Sequence, residues 1–149
     1  MRAVPHAVML LGLSGLLPFF WGVATHVSPA AFDVTMSTLG PRFVAPFVLL
    51  SYGSIILAFM AGVLWGFASR AQHSAWVFYA VSVIPALWVF FLVGDGPTSS
   101  AIYLGLGFIG LLGLDWLFCH HKLAPIWWLP FRVMLTVAVV TSLAVVTFG

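Results

Sequence analysis

Glutamate is absent from the 149-residue chain, and its acidic groups are confined to Asp33, Asp95 and Asp115. That excludes carboxylate-rich metal centres and paired-Glu hydrolytic sites. A single cysteine, Cys119, excludes a disulfide scaffold and the Cys-rich zinc and iron–sulfur motifs. Five Lys plus Arg give a formal net charge of +2 and no basic patch for nucleic acid. Charged residues make up 5% of the chain, against about 25% in an ordinary soluble domain. So little charge cannot solvate the surface of a water-soluble globule or a disordered tail. What the chain does have is length in its apolar runs: 63% of it is hydrophobic.

A helix needs roughly 20 mainly apolar residues to cross the hydrocarbon core. Five uncharged stretches approach that length, at about 7–24, 43–67, 75–93, 100–118 and 128–148. The last contains TVAVVTSLAVVT, β-branched enough for a strand in water, but a lone strand in lipid leaves its backbone unpaired. The expectation is therefore an all-α, polytopic membrane bundle of five helices forming a single domain over 1–149. Arg2 ahead of the first run and the small residues of VATHVSPAA also fit a signal peptide, but Pro18 and the glycines make a poor apolar core for one.

The connections are short. Thr25 to Pro41 is polar and long enough for an interfacial segment, whereas Ser69–Ser74, Gly94–Ser99 and Cys119–Pro125 are tight turns. Sequential helices should then be antiparallel neighbours. Arg2, Arg70, Lys122 and Arg132 fall on one side and only Arg42 on the other. The positive-inside rule places the N-terminus in the cytoplasm and the C-terminus in the periplasm. Pro18, Pro46 and Pro85 should kink their helices or lie near helix ends.

The run Leu11-Gly12-Leu13-Ser14-Gly15-Leu16-Leu17-Pro18-Phe19 in the first stretch is distinctive, as is Ser51-Tyr52-Gly53-Ser54 through Leu64-Trp65-Gly66 in the second. With Ser82 to Pro85, Asp115-Trp116 and Trp127 to Thr136, they resemble a family of small bacterial membrane proteins of unknown function with a mitochondrial transmembrane relative in animals. The resemblance covers nearly the whole chain and implies a five-helix protein of the bacterial inner membrane, without implying an activity. Leu64 departs from the family pattern, in which a polar residue such as His often precedes this Trp-Gly.

Four groups of residues stand out. Ser54, Ala58, Gly62 and Gly66 recur every fourth residue, and Gly105, Gly107, Gly110 and Gly113 lighten another helix; such stripes let helices pack closely. Asp115 near the end of the fourth stretch and Arg132 near the start of the fifth should form a structural ion pair, because an unpaired charge in the apolar region is costly. His120 and His121, with Cys119, His6 and His73 on the same side, raise a metal site. Adjacent helical side chains diverge by about 100°, however, so no metal is expected. Tyr52 and Trp65 are amphipathic aromatics inside a span, and their polar tips make them candidates for lining a ligand pocket.

No Ser-His-Asp, GxSxG, HExxH, Walker or GxGxxG pattern is present, so the chain is not expected to be an enzyme. No cofactor is expected either; bound lipid is compatible with the composition. An accessory or assembly subunit of a membrane complex, of the respiratory or another energy-transducing kind, fits best. It would contact the bilayer and other membrane subunits or a second copy of itself. A small-molecule, lipid or porphyrin binder or transporter is the alternative.

Overall fold

The computed structural model describes residues 4–71 and 75–149; Arg2 and His73, invoked above, lie outside the described residues. Those described are helical throughout their regular structure: α1 (His6–Ser14), α2 (Leu17–Val27), α3 (Pro29–Thr38), a 3₁₀ turn (Pro41–Phe43), α4 (Phe47–Ala68), α5 (Ala75–Ser82), α6 (Ile84–Leu92), α7 (Pro97–His120) and α8 (Trp128–Phe148). Four segments are long and apolar enough to cross a membrane: His6–Val27, Phe47–Ala68, Pro97–His120 and Trp128–Phe148. The third expected span, 75–93, corresponds to a shorter apolar helix, Trp76–Leu92.

Proline accounts for most of the differences from the expected boundaries. The ring removes a backbone donor and clashes with the carbonyl four residues earlier. Pro18 and Pro85 each stand within the first two positions of α2 and α6, so the first and third apolar stretches are each divided into two short helices. Pro46 caps α4, which therefore begins four residues later than its apolar run. Pro29 opens α3, and the preceding Ser28 caps it, its Oγ accepting from the Ala31 N–H at 3.3 Å.

Helix α4 is the hub, packed against α2, α5, α6 and α7, while α8 packs on α7 and α2. Phe19, Leu49, Leu57, Leu64, Leu104, Phe108 and Phe118 are all but fully buried at the centre of one continuous core. Most large apolar side chains outside that core, such as Phe90, Phe91 and Val137, are exposed, the inverse of a water-soluble surface.

Close approach of helices depends on Gly107 of the expected stripes and otherwise on glycines outside them. A Cβ on Gly53 would lie 2.6 Å from Leu104 Cδ2, and one on Gly107 would meet Leu57 and the Trp88 ring. Gly22 faces Val48 and Leu49, and Gly12 faces Phe131. By contrast, Ala58, Gly62 and Gly66 are exposed, and Ser54 is half-buried beside Gly94 and Ser100. Added Cβ atoms at Gly62, Gly66, Gly105, Gly110 and Gly113 meet nothing within 4 Å among the described residues. Among the described residues, Gly62 and Gly66 of the α4 stripe therefore have no close neighbour: four-residue spacing reveals a common face without revealing which way it points.

The turn between α7 and α8 brings the candidate site together. Lys122 adopts a left-handed conformation (φ 57°). Its N–H donates to Cys119 O at 3.0 Å, and that of Leu123 to Phe118 O at 2.9 Å, closing a Schellman motif in which buried Leu123 joins the same core as Phe118. The chain thereby reverses, and the first turns of α8 lie beside the last turns of α7.

Candidate functional site

Asp115 lies five residues before the end of α7 and has no exposed surface. Its Oδ2 accepts from Arg132 Nε at 3.1 Å and its Oδ1 from Trp128 Nε1 at 2.6 Å. Trp128, Arg132 and Thr136 stand at four-residue intervals on α8 and so share a face. Arg132, 4% exposed, meets the carboxylate through Nε alone. Its Nη2 is buried without a hydrogen-bond partner among the described residues, and so is Thr136 Oγ1 one turn further on. A guanidinium can only donate, which leaves an N–H group without an acceptor among the described residues.

Arg132 and Thr136 line a cleft of about 550 Å³. It exists because α8 is in extensive contact with α7 and α2 but not with α4. The gap between α4 and α8 is walled by Tyr52, Ile56, Met60 and Val63 from α4 and by Phe131, Leu135 and Val139 from α8, with Phe108 at its back. Helix α1, which has no buried residue, covers it from the side. Leu11 of α1 and Phe59 of α4 line the cleft yet are 74% and 64% exposed, so its mouth opens laterally between these helices.

Of the two aromatics expected to line a pocket, Tyr52 does so, its ring edge-on to Phe19 at 5.5 Å. Trp65 does not. It is half exposed on the outer face of α4, its ring 4.7 Å from that of Tyr79. Trp128 and Thr136 are the members that sequence reasoning missed. A Trp at the start of a span reads as an interfacial anchor, and a Thr among β-branched residues reads as filler. The available signal was the four-residue register they share with Arg132. His120 stacks on Trp116 at 5.3 Å and His121 meets Phe78 edge-on at 5.0 Å, and the described residues contain no group of three or more His, Cys, Asp or Glu able to hold a metal. His73 lies outside the described residues.

The family described as "Protein of unknown function (DUF3429)" matches residues 4–148. The chain belongs to this family. Among curated relatives, Transmembrane protein 69 of Xenopus tropicalis is 33% identical over 153 residues, covering 96% of this chain. The match spans 54% of that relative, so the DUF3429 chain corresponds to about half of the animal protein's length. No solved structure matches. Asp115, Trp128, Arg132 and Thr136, together with the cleft they border, fall within the matched residues of this DUF3429 protein.

Proposed function

We propose that this protein is a non-enzymatic, five-span membrane protein that holds a lipid-soluble small molecule in the cleft beneath Arg132. The observation that carries the reading is the pair of unpartnered donors, Arg132 Nη2 and Thr136 Oγ1, buried at the edge of an otherwise apolar cleft. Buried polar groups without partners are rare, and a volume within the ordinary range of small-molecule pockets supports a ligand as the missing partner. The test is thermal unfolding of the purified full chain in lipid nanodiscs, before and after delipidation, with mass spectrometry of the extract. A defined co-purifying molecule whose removal lowers the melting temperature is expected. A chain that carries none and melts unchanged overturns the reading. Leu135→Trp, which adds bulk to the cleft wall, should reduce the amount of bound molecule without loss of folded protein.

The way the ends meet supports the five-span reading. Arg70 Nη1 donates to Leu123 O at 3.0 Å, which puts the α4 exit beside the α7–α8 turn. Phe47 and Leu50 at the α4 entrance lie beside Val93, Gly94 and Pro97. The α5–α6 segment thus connects one end of the bundle to the other, which supports a third crossing despite its length. With five crossings the lysine and arginine distribution favours a cytoplasmic N-terminus and a periplasmic C-terminus in a bacterial inner membrane.

An accessory or assembly role in a membrane complex is the second reading, favoured by the outward direction of Ala58, Gly62 and Gly66 among the larger side chains Ile55, Phe59 and Trp65. Gentle extraction at natural expression level followed by native mass spectrometry distinguishes the two: stoichiometric co-release of a larger complex supports the subunit role, and a lone chain with extra mass supports the binder.

A further inference from the structure

We infer that the molecule held in the cleft is uncharged and carries a carbonyl oxygen, which accepts from Arg132 Nη2 and Thr136 Oγ1. This deepens the proposed function and rests on it. Both free groups can donate, and the guanidinium cannot do otherwise, so the ligand atom between them is an acceptor. Water could accept from Arg132 Nη2 and donate to Thr136 Oγ1, but its second O–H would point at Phe108, Phe131, Leu135 and Val139, which offer no acceptor, whereas a carbonyl oxygen brings no donor to be left unpaired.

Charge selects among acceptors. Asp115 already compensates Arg132 through the 3.1 Å contact, so the site is closed to further charge of either sign. A fatty-acid carboxylate or a phosphate would add a second anion beside a fully buried one, with no second cation to meet it among the cleft-lining residues. Burying that unpaired charge is far more costly than burying a carbonyl that finds two donors. The walls then call for an apolar or aromatic body. The lateral mouth at Leu11 and Phe59 opens toward the hydrocarbon, so the molecule would arrive from the bilayer rather than from water.

Two sources supply such a carbonyl: the ring of a lipid-soluble quinone and the ester of an acylglycerol. The experiment separates them. The full chain in nanodiscs is titrated with a decyl-substituted benzoquinone, with dioctanoylglycerol and with decanoate, and the melting temperature is followed against concentration, since a ligand of the folded state raises it by mass action. A saturable rise with one or both neutral probes is expected, with none from decanoate; which neutral probe acts identifies the source. Thr136→Val keeps shape and leaves the Asp115–Arg132 pair untouched, and it should weaken the active probe about fivefold, the worth of one hydrogen bond. Arg132→Lys retains the positive charge facing Asp115 without the Nη2 donor and should weaken it further.

If decanoate stabilises as well as the neutral probes, or if Thr136→Val leaves their apparent affinity unchanged, the chemical assignment is overturned while a ligand-holding cleft stands. If none of the three probes acts and delipidation has no effect, both the assignment and the proposed function fall.

Discussion

A carboxylate with no exposed surface is held here by two donors of different kinds, and that division of labour sets what each substitution does. Arg132 supplies the counter-charge through Nε, and Trp128 supplies a short neutral hydrogen bond to the other oxygen. Removing one partner of a buried ion pair strands the other, at a cost of about 3–5 kcal/mol. Asp115→Asn and Arg132→Gln should each lower the yield and the melting temperature of folded protein, and the double variant should cost less than the sum of the two. Unfolding in detergent or nanodiscs measures this cycle, and single variants that melt like the parent show that the pair is not a structural pin. Trp128→Phe should cost about 1.5–3 kcal/mol, the worth of a hydrogen bond to a charged group. The pair itself was legible in the sequence, because Asp115 and Arg132 are charges stranded in apolar runs at adjoining ends of sequential stretches. Its third member and the unpartnered donors were not. A hydrogen bond from a tryptophan and the pairing of each guanidinium nitrogen depend on rotamers, and composition carries no trace of those.

At the level of helices, packing is decided by which glycines face a neighbour. Gly107→Ala would drive a methyl group against Leu57 and against Trp88, whose Nε1 is itself committed to Tyr103 O at 2.7 Å. Overpacking of this kind costs about 1–3 kcal/mol. Gly62→Ala meets open space and should leave the melting temperature of the isolated chain unchanged or slightly raised, because alanine is the better helix former. The two variants, melted side by side, test the assignment of inward and outward faces. At the α7–α8 turn, Lys122→Gly should raise stability, since a left-handed backbone costs a side-chain-bearing residue about 1–2 kcal/mol that glycine does not incur. Helix positions were largely readable from apolar runs, and the fifth stretch matches α8 at both bounds. The prolines divided or shortened others, and the direction of the small-residue faces could not be read because it depends on the rotation of each helix about its own axis.

For the whole molecule, the proposed five-crossing topology makes a definite statement about sidedness. In a Cys119→Ser background, single cysteines at Ser37 or Asp95 should react with a membrane-impermeant maleimide added outside intact cells, and one at Lys122 should react only after lysis. Labelling of 37 and 95 from opposite sides would mean that α5–α6 does not cross. That segment has a further consequence. As a crossing, its apolar helix Trp76–Leu92 of 17 residues would span about 25 Å, roughly 5 Å less than an average hydrocarbon core. Exposed Phe90, Phe91, Leu87 and Trp76 along it face lipid directly. Lipid tails next to this flank must shorten or splay to meet it, so the molecule carries a local dimple in the bilayer on one side only. It should partition toward thin membranes, and reconstitution into lipids of increasing chain length should lower its melting temperature progressively.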